Sequence, residues 1–205
     1  PNSPDWKALD PSMGAGAFLL GMAELLLRET GARPSEIIER RLYGADIASH
    51  AIETTDLLLN LWALDSGDDT SRIKTNLRVG NSLEGPSLRD AFGVDAGFDT
   101  VVGNPPYVRI QNMEPEARRQ IRETWRCAGT GSVDLYMPFI EMALREIGDQ
   151  GIVGYIVPNT FTHTRAGQGL REVLTRSGAV AEMYDFDHHQ VFRGVATYAC
   201  LLYLT

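Results

Sequence analysis

The stretch Asn104-Pro105-Pro106-Tyr107 carries the most specific chemistry in the sequence. Consecutive prolines fix φ and disfavour helix at the residue before each of them. The resulting turn is stiff and extended, and it holds the Asn104 side-chain oxygen and the Pro105 carbonyl in place. Both atoms are acceptors, and together they suit the two hydrogens of an NH2 group. An amine on an aromatic base is a poor nucleophile, because its lone pair is delocalised into the ring. Two acceptors bias that nitrogen toward a tetrahedral form and stabilise the positive charge it gains on attack. Such catalysis works by positioning and electrostatics, without a covalent intermediate. Tyr107 adds a flat face on which a base can stack, worth ~1–3 kcal/mol. Pro106 completes the candidate catalytic set. The competing reading is a plain turn with a packed aromatic.

A second group reads as a nucleotide-type pocket. Leu9-Asp10-Pro11-Ser12-Met13-Gly14-Ala15-Gly16-Ala17-Phe18-Leu19 joins a strand to a helix. Gly14 and Gly16 permit a tight turn in which backbone N–H groups approach a ligand, and the helix N-terminus beyond favours an anionic group such as a carboxylate. Leu19 stands where the dinucleotide fingerprint has its third glycine, which disfavours a nicotinamide enzyme. Asp46, in Tyr43-Gly44-Ala45-Asp46-Ile47, falls where α/β folds place an acid for ribose hydroxyls; taken alone it reads more readily as a helix cap, and the preceding glycine turn reverses that preference. Asn81 and Ser82 follow a third strand. The candidate cofactor-binding residues are therefore Asp10, Pro11, Gly14, Gly16, Phe18, Asp46, Ile47, Asn81 and Ser82.

Positioning these groups requires strands and helices in alternation, the βαβ pattern of a parallel sheet. Strands are expected at Lys7–Leu9, Arg41–Ala45, Ile73–Val79, Asp99–Val102, Ile152–Val157, Ala181–Phe186 and Tyr198–Leu204. Helices are expected at Ala17–Arg28, Ser49–Leu64, Leu135–Ile147 and Gln168–Arg176. The run Ile152–Val157 is continuously apolar, so it is expected to be covered on both faces. The last strand follows without a helix between, which predicts antiparallel entry. Asp65–Arg72 and Val108–Ser132 fit neither period, and the second is too long for an idle connection.

The chain has 205 residues and a formal net charge of −8, an acidic balance unlike the basic footprint of simple nucleic-acid binding. The acid lies mainly in the first half, whereas Arg109, Arg118, Arg119, Arg122 and Arg126 gather in one stretch. That stretch is either a DNA contact or a solvated helix face mixed with Glu114, Glu116 and Glu123. No apolar run reaches the ~20 residues of a membrane span, and the first residues do not read as the charged, apolar and cleavage regions of a signal peptide. Cys127 and Cys200 form no metal or disulfide pattern and fit a cytoplasmic location. His163, His188 and His189 show no metal spacing, so no metal site is expected. Neither cysteine follows a proline, which argues against cytosine-C5 methylation through a thiol nucleophile.

The pairing of Asp10-Pro11-x-x-Gly14-x-Gly16-x-Phe18-Leu19 with Gly103-Asn104-Pro105-Pro106-Tyr107 resembles the amino-methyltransferases of DNA, above all the adenine-N6 group. The likeness continues in Ser132–Glu141, in Gly151–Asn159 and in Gly169-Leu170-Arg171. Together these resemble the methyltransferase module of type II restriction–modification enzymes that fuse both activities in one chain. The resemblance implies a Rossmann-like α/β fold with a mostly parallel seven-stranded sheet and an antiparallel last strand. It implies S-adenosylmethionine as cofactor and double-stranded DNA as partner. Asp10, Gly14 and Gly16 would then meet the methionine portion, Asp46 the ribose, and Asn81 the adenine amino group. Phe192, in Gln190–Thr197, would stack on the far face of the flipped base, with a core role as the alternative. Base flipping is implied because the target nitrogen is paired within the duplex.

Residues 1–205 are thus expected to be a methyltransferase catalytic domain and a fragment of something longer, without the leading helix, nuclease and target-recognition domains. Only Lys7 and Lys74 are lysines, and neither completes a nuclease cluster. Other readings are an N5-glutamine protein methyltransferase, which shares Asn-Pro-Pro-Tyr, an RNA base methyltransferase, and an N4-cytosine enzyme. A non-enzymatic reading is an inactive methyltransferase-like module kept for DNA specificity.

Overall fold

The computed structural model describes residues 6–129, 131–186 and 199–205. Among the described residues, seven strands form one sheet: β1 (Ala8–Asp10), β2 (Leu42–Asp46), β3 (Asn76–Val79), β4 (Phe98–Gly103), β5 (Ile147–Pro158), β6 (Val180–Asp185) and β7 (Ala199–Leu204), in the order β3-β2-β1-β4-β5-β7-β6. The helices are α1 (Ala17–Thr30), α2 (Pro34–Arg41), α3 (Ser49–Asp65), α4 (Leu88–Phe92), α5 (Pro115–Thr124), α6 (Tyr136–Glu146) and α7 (Gln168–Ser177). This is the expected α/β sheet, parallel in its first half and antiparallel around β7. Among the described residues, no helix is long and apolar enough to cross a membrane.

The chain divides into two compact units, the first comprising residues up to Gly103 together with Glu146–Gly151, the second Asn104–Arg145 with Ile152–Thr205. In the first unit β1 pairs in parallel with β2 on one side and β4 on the other, with Leu9 opposite both Tyr43 and Val101. α1 buries Leu19, Ala23 and Leu26, and α3 buries Ala51, Thr55, Leu59 and Ala63, in each case the single stripe a 3.6-residue period produces. Gly31 ends α1 in a left-handed conformation, donating its N–H to the Leu27 carbonyl. Ala8, Leu26, Ile37, Ile38, Leu42 and Leu59 belong to one buried core cluster, flanked by Trp6 and Trp62.

In the second unit α6 buries Tyr136, Ile140 and Ala143, and α7 buries Leu170 and Leu174. Pro138 is the third residue of α6, where no intrahelical N–H is needed. β7 pairs antiparallel with β5, Tyr155 opposite Leu202, and with β6, Met183 opposite Leu202.

Three details correct the sequence reading. The run Ile152–Val157 is not covered on both faces: Val153, Tyr155 and Val157 are buried, Ile152 is exposed, and Gly154 and Ile156 are intermediate. An antiparallel partner is compatible with one wetted face, and the apolar alternation there reflects β propensity more than burial. Val108–Ser132 contains α5 flanked by two short 3-10 turns, Ile110–Asn112 and Arg126–Ala128. Its helix was hidden because α5 buries only Ile121, leaving no apolar period to detect. The third correction is α2, absent from the sequence reading.

The unassigned stretch Asp65–Arg72 has a structural role at the start of α2. Asp68 accepts the Ser35 backbone N–H at 2.8 Å through one oxygen and the Thr70 N–H and hydroxyl through the other, at 3.0 and 2.5 Å. It supplies from a distance what the α2 N-cap, Arg33, cannot. Hydrogen bonds to Ser35 and Thr70 hold the Asp68 carboxyl well below the usual range. A lowered value means stability present above the unfolded value of about 3.9 and lost as pH falls toward the folded one. Asp68→Ala is therefore expected to melt at a lower temperature than wild type at pH 6, with the gap narrowing below about pH 4. Thermal melts across that range check it.

Candidate functional site

In the first unit β1 delivers Asp10 into the interior, 1% exposed. Its Oδ1 accepts the Ser12 N–H at 3.0 Å, while Oδ2 is buried without a hydrogen-bond partner, as is the Ser12 hydroxyl. A buried carboxylate oxygen left unpaired is costly, so burial first, and the neighbouring Asp46 charge after it, raise the Asp10 pKa to about 7. Pro11 is buried, and its carbonyl accepts the Ser82 hydroxyl at 2.6 Å.

The glycine turn follows, with Gly14 and Gly16 at φ 52° and 80°, a region L side chains rarely enter. A Cβ on Gly16 would lie 2.6 Å from Thr55 Cγ2, so the close approach of α1 and α3 needs glycine. Thr55 donates to the Gly14 carbonyl at 3.1 Å. Asp46 accepts the Gly14 N–H at 2.9 Å through Oδ2 and the Ala48 N–H at 2.9 Å through Oδ1. The acid at the end of β2 thus meets the glycine turn directly, and it does not cap α3: the helix N-cap is Ala48, without a side-chain cap bond, and the Asp46–Ala48 contact is a local Asx turn. Ile47 beside it is 73% exposed, an apolar face open to a ligand. Phe18 is half-buried. Asn81 uses Oδ1 for the Leu83 N–H at 3.1 Å and Nδ2 for Glu84 at 2.7 Å, leaving one lone pair on the amide oxygen. The sequence reading missed Ser12 and Thr55. A threonine at a buried helix position is the one signal that pointed to the latter.

In the second unit Asn104 is exposed, Pro105 buried, and Pro106 and Tyr107 half-buried. The Tyr107 hydroxyl lies 2.6 Å from Asn104 Oδ1 and 3.2 Å from the Ile156 carbonyl. Its ring meets Tyr136 edge-on, centroids 6.2 Å apart, and Tyr136 reaches Thr160 at 3.4 Å. Burial, with a smaller contribution from Cys200, pushes the Tyr107 hydroxyl up to about 12, so it is a donor at any physiological pH. Phe192 lies outside the described residues, as do His188 and His189.

The arginine stretch is largely engaged within the molecule. Arg119 bridges Glu116 and Glu123, Arg122 donates to the carbonyls of Ala128 and Gly131, and Arg109 lies 3.9 Å from Asp134. A cleft of about 730 Å³ nearby includes Glu123, Arg126, Glu141, Arg145, Glu172 and Arg176, but none of the candidate site residues lines it. Among the described residues, no group of three His, Cys, Asp or Glu is placed to hold a metal ion.

Residues 40–192 match the family described as Eco57I restriction-modification methylase. The chain belongs to that family. It is 31% identical over 191 residues to the type II restriction enzyme and methyltransferase RM.Eco57I of Escherichia coli, an alignment covering 82% of this chain and 19% of that one. It is 28% identical over 226 residues to the type II methyltransferase M.BstVI of Geobacillus stearothermophilus, covering 96% and 36%. The chain thus spans about a fifth to a third of the length of these relatives. A solved structure of a putative class I S-adenosylmethionine-dependent methyltransferase from Listeria monocytogenes superposes with a TM-score of 0.70 at 15% identity, covering 98% of this chain and 54% of that one, and shares its fold.

Burial of the Asp10 carboxyl has a stability cost. A carboxyl raised from 3.8 to about 7 holds a proton in the folded chain that the unfolded chain has released between those values. Stability contributed by that proton is present below about pH 4 and is lost as pH rises toward 7, by on the order of a few kcal/mol. Asp10→Asn is expected to melt higher than wild type at pH 8, with the difference closing toward pH 5. Calorimetric melting between these values tests it.

Proposed function

We propose that this chain is the catalytic domain of an S-adenosylmethionine-dependent DNA methyltransferase that methylates adenine N6 within a restriction–modification system. The observation that carries the reading is the exposed Asn104 carboxamide on a double-proline turn directly after β4, in a chain of the Eco57I family. Double-stranded DNA is the partner and the cytoplasm the location this reading implies. Both relatives described above carry the methyltransferase name.

The pocket residues fit the cofactor. The unpaired Asp10 Oδ2 and Ser12 hydroxyl suit an ammonium and other polar groups of its methionine portion. Backbone N–H groups of the Gly14–Gly16 turn suit its carboxylate. Asp46, with Pro11 and Ser82 shaping the wall, receives the ribose; Ile47 and Phe18 flank the adenine, and the spare lone pair of Asn81 accepts its amino group. When bound, the cofactor supplies an electrophilic methyl on a sulfonium.

The protein's part in transfer is positioning. Asn104 Oδ1 and the Pro105 carbonyl accept the two hydrogens of the adenine amine, drawing its lone pair out of conjugation. The Pro105 dipole is fixed by the turn, and that of Asn104 once its carboxamide is oriented, so they stabilise the cationic nitrogen with little reorganisation. Pro106 stiffens the turn, Tyr107 stacks on one face of the flipped base, and Phe192 is assigned the other.

Asn104→Ala in the full-length polypeptide is expected to slow methyl transfer by about 10²–10³-fold, with cofactor affinity unchanged. Asp46→Ala is expected to weaken S-adenosylmethionine binding by about tenfold or more, since charge-assisted hydrogen bonds are worth ~1.5–3 kcal/mol. Calorimetry with the cofactor and mass spectrometry of digested DNA read both effects. Tight NAD binding, or methyl groups found on glutamine, RNA or cytosine instead of adenine N6, would refute the proposal.

A further inference from the structure

The Tyr107 hydroxyl has one proton and two acceptors within reach, Asn104 Oδ1 at 2.6 Å and the Ile156 main-chain carbonyl at 3.2 Å. Donation to Asn104 leaves the Ile156 carbonyl without that proton. It also turns Asn104 Nδ2 outward, where it would face the hydrogens of an incoming amine, donor against donor. A carboxamide has nearly the same shape at both ends, and rotation by about 180° about its last torsion exchanges them. After that rotation Nδ2 donates to the Tyr107 oxygen, and the hydroxyl donates to the Ile156 carbonyl. Each of these donors then has one acceptor, and Asn104 Oδ1 projects outward with both lone pairs uncommitted.

We infer that Tyr107 is a positioning residue as well as a stacking surface: its hydroxyl, anchored by the β5 carbonyl of Ile156, selects the Asn104 orientation that presents Oδ1 to the target amine. The inference rests on the reading in which Asn104 receives an aromatic amine. It draws further support from the fixed place of the ring, edge-on against Tyr136, which keeps the hydroxyl between its two partners. Asn104 itself is exposed, and among the described residues the Tyr107 hydroxyl is the side chain that meets its amide.

Tyr107→Phe separates the two roles, because it keeps the ring and removes only the oxygen. In the full-length polypeptide, acting on duplex DNA, single-turnover methyl transfer should slow about 5- to 10-fold, the size of one lost hydrogen bond. Extrusion of the target base, followed with a fluorescent adenine analogue, and cofactor affinity should both stay within about twofold of wild type. A wild-type transfer rate overturns the inference, and so does a loss matched by weaker extrusion, which would assign the effect to stacking. Asn104→Ala measured alongside keeps the underlying reading separate. If that variant transfers methyl groups at the wild-type rate, the proposed function itself fails, whatever Tyr107→Phe does.

Discussion

The parallel pairing of β1 with β4 is the interaction on which the site depends. Ala8 lies opposite Thr100 and Leu9 opposite Val101, so the two strands finish at the same edge of the sheet. One ends in Asp10 and the glycine turn, the other in Gly103. Residues more than ninety positions apart in sequence thus leave their strands side by side. Open α/β sheets bind ligands at the carboxyl ends of their strands, since only there do turn residues and helix N-termini converge. The same edge receives Asp46 from β2, drawn onto the Gly14 N–H. A one-residue slip of β1 would turn Asp10 to the other face of the sheet and dissolve the arrangement.

This edge is built against stability. Asp10 is buried with one oxygen unpaired, Ser12 with its hydroxyl unpaired, and Gly14 and Gly16 in a backbone region of high chain entropy. The surrounding fold offsets these costs with close packing, in which Gly16 meets Thr55 and Tyr43 meets Phe98 and Phe92 edge to face.

Much of this architecture could be read from the residues in order. The glycine turn, the double proline and the long amphipathic helices α1, α3, α6 and α7 announce themselves through local signals. What stayed hidden is whatever depends on partners distant in sequence. α2 is short, and its first turn is held by Asp68, far along the chain. α5 buries a single residue and so has no period to detect. The contact of Thr55 with the glycine turn, and of Ile156 with Tyr107, exist only once helices and strands have packed. Asp46 is instructive in another way: the sequence allowed a cap or a ligand acid, and in the folded chain its two oxygens accept the backbone N–H groups of Gly14 and Ala48 without capping α3.

The position of β7 also sets a timetable. It lies between β5 and β6, yet it follows both in the chain, and among the described residues β6 has no other neighbour in the sheet. All six residues of β6 are exposed to solvent, so little besides β7 holds it. During synthesis, at roughly 5–20 residues per second, β6 leaves the ribosome with no strand to join. It must wait until β7 has emerged and threaded into the gap, so this half of the sheet closes only after translation has passed that point.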